Sequence, residues 1–311
     1  MKSLGLSRYA LTSCAAIALL AGCGESQPPI GMVPQSRAGV AHTKNAQTGH
    51  VYVGFDNKES LYQYGVPNRK NHRPTCEHTS LTAPGTDGIS VNEAHILYVP
   101  DENTGRILTF GPSCHAQAAT NLVDPKGKPF DVAFDNQSDT VFVSDIKKNC
   151  VEVYEHGSAS PTRQLCSSSA SSTSGVSVDA NGNVYQSSPG NSTIIEFPHG
   201  REKGNRPLPL TGLSKPDGLE FDLQGNLIVT DYDMGVLIYA NPFKGPPDQY
   251  IATGPAEFAK LDSSDKHLYV ALYGSNTVMV YTYPQGVYEY SISKGLPNGV
   301  DGIAVDPPSG T

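Results

Sequence analysis

Short apolar runs rich in β-branched and aromatic residues recur along most of the chain. Gly, Pro, Asn and Asp bound them. This pattern predicts many short strands separated by tight turns. One stretch shows the unit well: KPDGLEFDLQGNLIVTD, residues 215–231. An apolar strand ends on an aspartate, the chain turns at Gln224-Gly225-Asn226, and a second apolar strand follows.

The unit repeats. Six copies of its first strand align: TDGISVN (86–92), PFDVAFD (129–135), TSGVSVD (173–179), PDGLEFD (216–222), AEFAKLD (256–262) and VDGIAVD (300–306). The position of Asp217 is held in turn by Asp87, Phe130, Ser174, Asp217, Glu257 and Asp301, at spacings of 43, 44, 43, 40 and 44 residues. Each complete copy continues with a turn, a second strand such as NLIVTD, a third such as GVLIY, and a looser closing stretch. HVYVGF (50–55) and SLYQY (60–64) match the second and third strands of a further unit.

A period near 43 residues with four strands per unit predicts an all-β β-propeller. The count favours six four-stranded antiparallel blades. The last copy supplies only a first strand, so it is expected to complete the first blade and close the ring, which removes a free edge. GVAHT (39–43) competes for the same place and would suit a seventh blade.

The stretch PDGLEFDLQGNLIV resembles the NHL repeat and the related propellers of the gluconolactonase (senescence marker) family, over roughly residues 38–311. That resemblance implies the propeller fold. Its members include lactonases, lyases, binding proteins and scaffolds, so it leaves function open.

Most repeated carboxylates have a structural reading. Asp135, Asp179, Asp222, Asp262 and Asp306 end first strands, where the side chain accepts N–H bonds of the following turn. Asp101, Asp145 and Asp231 end second strands and are read the same way. The Asp217 column differs, because the start of each inner strand faces the central tunnel. Asp87, Asp217, Glu257 and Asp301 fall on blades two, five, six and one, which are consecutive around the ring. The sequence thus predicts an acidic crescent facing Ser174 and Phe130. Like charges ~8 Å apart repel by roughly 2 kcal/mol at an effective dielectric near 20. Water, a raised pKa, backbone hydrogen bonds or a cation must offset this. A hard divalent cation, Ca²⁺ first, suits such a carboxylate set.

The family resemblance implies a tunnel metal held by a first-blade glutamate, an asparagine and the aspartate of a PDG motif. Asp217 matches that aspartate. Ser174 stands where the asparagine is expected, Asp301 or Ala38 takes the first-blade slot, and no GEGP-like stretch is present. The reading favoured is a ligand- or protein-binding module. The alternative is a metal-dependent hydrolase or lyase with its site at the tunnel mouth.

The N-terminus adds a location. Lys2 and Arg8 precede an apolar stretch, Tyr9 to Ala21, too short and too early for an ordinary span. Leu20-Ala21-Gly22-Cys23 resembles the lipobox of bacterial lipoproteins, which implies a signal over 1–22, a lipid on Cys23 and membrane anchoring without a span. Residues 23–37 then form a tether and 38–311 the propeller. Gly24 is not the aspartate that retains such proteins at the inner membrane, so an outer-membrane or surface location is expected.

Without residues 1–22 the chain has 20 basic and 30 acidic residues, which excludes a nucleic-acid partner. A monomer is expected. Cys76, Cys114, Cys150 and Cys166 remain for disulfides in an oxidising compartment. Cys150 and Cys166 lie equally far from Ser158, so a hairpin centred there sets them opposite each other. Cys76–Cys114 follows by elimination. No CxxC, HExxH, GxSxG or phosphate-loop pattern appears.

Overall fold

In the computed structural model the chain divides into two units, Met1–Asn45 and Ala46–Thr311. The residues described are 49–55, 60–78, 86–111 and 122–309, all in the second unit. The expected signal, Cys23, the tether, the 39–43 stretch and Cys114 lie outside them.

The fold is six sheets of four antiparallel strands. Blade 1 holds β1 (Gly49–Phe55), β2 (Leu61–Val66) and β3 (Cys76–His78). Blade 2 is β4 (Ser90–Val91), β5 (Leu97–Asp101), β6 (Arg106–Phe110) and β7 (Leu122–Val123). Blade 3 is β8 (Pro129–Asp135), β9 (Thr140–Asp145), β10 (Cys150–Glu155) and β11 (Arg163–Cys166). Blade 4 is β12 (Val176–Val178), β13 (Val184–Ser188), β14 (Thr193–Phe197) and β15 (Arg206–Pro207). Blade 5 is β16 (Pro216–Phe221), β17 (Leu227–Asp231), β18 (Gly235–Tyr239) and β19 (Gln249–Ile251). Blade 6 is β20 (Ala256–Leu261), β21 (His267–Leu272), β22 (Val278–Thr282) and β23 (Tyr288–Ile292). The final strand, β24 (Val300–Asp306), pairs with β1 as the inner strand of blade 1.

Contacts between inner strands run β4 to β8, β12, β16, β20, β24 and back to β4. The blades therefore form a closed ring, with the C-terminal strand as its clasp. Each blade seam holds its own apolar cluster. Val51 and Val280 meet between blades 1 and 6, Phe142 and Val184 between blades 3 and 4, and Leu219 and Tyr185 between blades 5 and 4. Strands β13, β17 and β18 are buried on both faces, which explains why they read as nearly continuous apolar or small-residue runs.

The strand-end aspartates act as turn formers, except Asp306, which is followed by two prolines without N–H groups and whose Oδ1 meets Nδ1 of His95 instead. Asp222 accepts the N–H groups of Gln224 and Asn226 at 3.0 and 2.7 Å, and Asp179 accepts those of Asn181 and Asn183 at 2.9 Å each. Asp231 accepts from Ser214 and Lys215 at 2.7 and 3.0 Å, tying the end of β17 to the start of its own inner strand. The hairpin at Ser158 places Cys150 opposite Cys166, and the two form a disulfide with Cα atoms 4.5 Å apart. Cys76 is also disulfide-bonded. The third-strand tyrosines Tyr64, Tyr154, Tyr239 and Tyr281 are buried between blades.

Candidate functional site

The inner strands carry a local irregularity where the acidic column sits. In β16 the ladder pairs Pro216 with Asp231 and then Leu219 with Val229, so two residues oppose one. The ladders of β8 and β20 shift likewise at Phe130 and Glu257. Such bulges turn the extra residue away from the normal alternation. Here they aim one residue at the tunnel and the next at the neighbouring blade.

The residue that follows is Gly88, Gly175, Gly218 or Gly302 in four of the blades. A Cβ on Gly302 would lie 1.8 Å from the carbonyl oxygen of Asp87, and one on Gly175 would lie 2.2 Å from that of Asp217. The Asp-Gly pairs thus combine a tunnel-facing acid with close approach of adjacent blades. Gly302→Ala is expected to destabilise the protein by at least about 1–3 kcal/mol through overpacking, read as a lower urea midpoint with an unchanged slope.

Five polar residues of the column form a continuous arc. The hydroxyl of Ser174 donates to Asp217 Oδ1 at 2.7 Å. Burial pushes the Asp217 carboxyl up to about 7, the Ser174 bond opposes the shift, and the nearby Glu257 charge adds to it. Asp301 lies within hydrogen-bonding reach of both Glu257 and Asp87; burial and these two neighbours hold its carboxyl well above the usual range. Only 2% of Asp301 is exposed, and its Oδ1 has no hydrogen-bond partner among the described residues. Asp87 and Ser174 are also buried, whereas Asp217 and Glu257 are partly open. The carbonyls beneath are fixed: Ser187 Oγ donates to Asp217 O at 2.6 Å, and Thr230 Oγ1 donates to Glu257 O.

Phe130 completes the circle differently. Its ring reaches Phe258 of blade 6, three blades away, with centroids 5.9 Å apart. The side chain therefore crosses the tunnel axis and gives the acidic arc an apolar neighbour.

One step further along the inner strands lies a charged tier that the sequence reading missed. Lys260 Nζ bonds Glu220 Oε2 at 2.9 Å between blades 6 and 5. Asp131, fully buried, stands near this lysine and accepts the N–H groups of Val132 and Val176 at 2.8 and 2.9 Å. Burial pushes the Asp131 carboxyl up to about 6, against the pull of Lys260. Its signal was available: Asp131 occupies a column otherwise filled by four glycines and Phe258, and Glu220 and Lys260 lie three residues after two members of the crescent.

Every group in the arc offers oxygen, the donor type a hard cation takes, yet among the described residues the acids whose ligand atoms all lie close together are Asp124, Asp145 and Glu152 and not the crescent.

The comparisons with known proteins bear on the fold. No protein-family model matches the chain. A 116-residue stretch, 34% of the chain, is 28% identical to an uncharacterized WD repeat-containing protein of Schizosaccharomyces pombe, and covers 29% of that protein's length. A chain in the crystal structure of the nidogen/laminin complex superposes with a TM-score of 0.66 at 18% identity, covering 83% of this chain and 98% of that one. A protein of unknown function from Bacteroides caccae gives 0.65 at 10% identity, with the same coverages. At these identities the likeness shows the propeller fold alone. Among the described residues no helix is long and apolar enough to cross a membrane.

Proposed function

We propose that this protein is a binding module of the bacterial cell envelope, NHL-like in its repeat, tethered by a lipid on Cys23 and exposed at the outer membrane or cell surface. Its binding site is the acidic side of the tunnel mouth, and a divalent cation, Ca²⁺ by its chemistry, is the first ligand there. The observation that carries this reading is Asp301: a carboxyl buried between Glu257 and Asp87 with one oxygen unbonded. Asp217, Asp301, Asp87 and Glu257 would hold the ion, and bound ion would offset their mutual repulsion. Phe130, in contact with Phe258 across the axis, gives this site an apolar neighbour.

Melting of the purified protein with and without chelator tests the reading. Calcium at 100 times its dissociation constant stabilises a folded protein by about 2.7 kcal/mol, so chelation is expected to lower the melting temperature by several degrees. Asp301→Ala is expected to abolish the response. Identical melting in calcium and in chelator, with no co-purifying metal, would remove the site.

A second reading rests on one contact. The Ser174 hydroxyl donates to a carboxyl that burial pushes up to about 7, which is the pairing of a hydroxyl nucleophile with a base. With the ion polarising a carbonyl, this would make a hydrolase or lyase. Turnover in a lactone and ester panel that disappears in Asp217→Asn would establish it.

A further inference from the structure

A second cluster of ionisable groups lies away from the tunnel, where blade 2 meets blade 3. Lys148 sits in the turn after β9. Its Nζ contacts Asp124 Oδ1, bonds Glu152 Oε1 at 2.6 Å, and lies 3.3 Å from Asp145 Oδ2. The side chains of Asp124 and Asp145 are fully buried and that of Glu152 is 1% exposed. Three carboxyls share one ammonium in a nearly dry place. Asp124 Oδ2, Glu152 Oε2 and the Tyr154 hydroxyl, all buried, have no hydrogen-bond partner among the described residues.

The three acids differ in their surroundings. Asp145 accepts the N–H groups of Lys128, Lys147 and Lys148 at 3.1, 2.8 and 3.0 Å, which holds it ionised. Glu152 is bonded by Lys148 and by Gln164 Nε2 at 2.7 Å. Asp124 is held by the lysine and lies within hydrogen-bonding reach of Asp145, and burial pushes its carboxyl up to about 7, which favours its neutral form. Environments that separate neighbouring acids in this way assign them different chemical roles. Tyr154 lies close enough to feel the charges of all three.

We propose that Lys148 and Asp124 condense into an intramolecular isopeptide bond, with Glu152 as proton carrier and Tyr154 as the donor that steadies the reacting carbonyl. Glu152 takes a proton from the ammonium, and the freed amine nitrogen attacks Cγ of neutral Asp124. The oxygen that gains charge accepts the Tyr154 O–H. A second proton passes from nitrogen through Glu152 to the departing hydroxyl, which leaves as water. One Nζ–Cγ bond forms, one Cγ–O bond breaks, and Glu152 ends with the proton the ammonium first held. Nothing is oxidised or reduced.

Two physical terms favour the step. Fixed reactants behave as if at effective molarities of about 10⁵–10⁸ M, which offsets the ordinary preference for hydrolysis in water. Condensation also removes a carboxylate charge from a site where the acids are almost wholly buried. The product would join the outer edge of blade 2 to blade 3 covalently, beside the Cys150–Cys166 disulfide. This inference is independent of the tunnel mouth.

Peptide mapping of the full chain by mass spectrometry after reduction tests it. The expected result is one branched peptide containing Lys148 and Asp124, lighter by one water than its two arms, and no peptide with a free Lys148. Glu152→Gln is expected to slow condensation about 100-fold or more, so freshly made protein stays unlinked. Lys148→Arg keeps the charge and should give only linear peptides. Separate Lys148 and Asp124 peptides at full mass from the wild-type chain would overturn the proposal, whatever the variants do.

Discussion

Lys260→Met is expected to lower the melting temperature by about 10 °C at neutral pH. The lysine lies in the tunnel wall with its side chain 12% exposed, against Glu220 at 16% and the fully buried Asp131. Removing it leaves two acids without their counter-charge. Breaking a buried pair from one side costs about 3–5 kcal/mol, and a domain of this size loses about 2–4 °C for each kcal/mol. The double change Lys260→Met with Glu220→Met is expected to recover most of the loss, because removing a buried pair together is often close to neutral. A single variant that melts within two or three degrees of wild type would mean that water reaches this tier.

The pH dependence of stability in chelator gives the second large effect. The Asp217 carboxyl is raised in the folded protein to about 7, from an unfolded value near 3.9. Below about pH 4 it is protonated in both states. Between about 4 and 7 the unfolded chain loses the proton while the folded chain keeps it, so stability falls as pH rises. Above about 7 the contribution of this group is constant. Asp301, also raised by burial and its acidic neighbours, adds to the decline. Asp262 is held below its usual range by its bond to His267 and its turn N–H bonds, and pulls the other way at acid pH. The informative quantity is therefore the difference between wild type and Asp217→Asn, whose amide oxygen can still accept from Ser174. The variant is expected to gain on wild type as pH rises from about 4 to about 7, with little difference below. Added calcium should shrink that gain. A difference that does not change with pH would show that Asp217 titrates normally.

The order of the fold was legible because it repeats. Six aligned strands with one period set the blades, and the leftover strand at the end set the closure. The crescent was legible for the same reason: a column in the repeat becomes a circle in space. The partnerless oxygen of Asp301 was not, because it depends on how deeply a bulge draws one side chain inward. Nor was the path of Phe130, since its column predicts a place on the wall and not a reach across the axis. Asp131 could have been noticed as an acid in a glycine column, but its lysine partner lies on the opposite side of the ring. The Lys148 cluster draws Asp124 from the segment leading into blade 3 and Lys148 from a turn, and neither position recurs in register. Without periodicity, one sequence gives no way to pair them.

The clasp strand carries a consequence for biogenesis. β24 is made after every other described strand, yet β1 depends on it for its inner partner and blade 6 for its neighbour. Until it emerges, the first blade lacks its core strand and the last has an uncovered side. The ring therefore cannot close until β24 has been made, so the cooperativity of the whole circle rests on one strand borrowed from far along the chain.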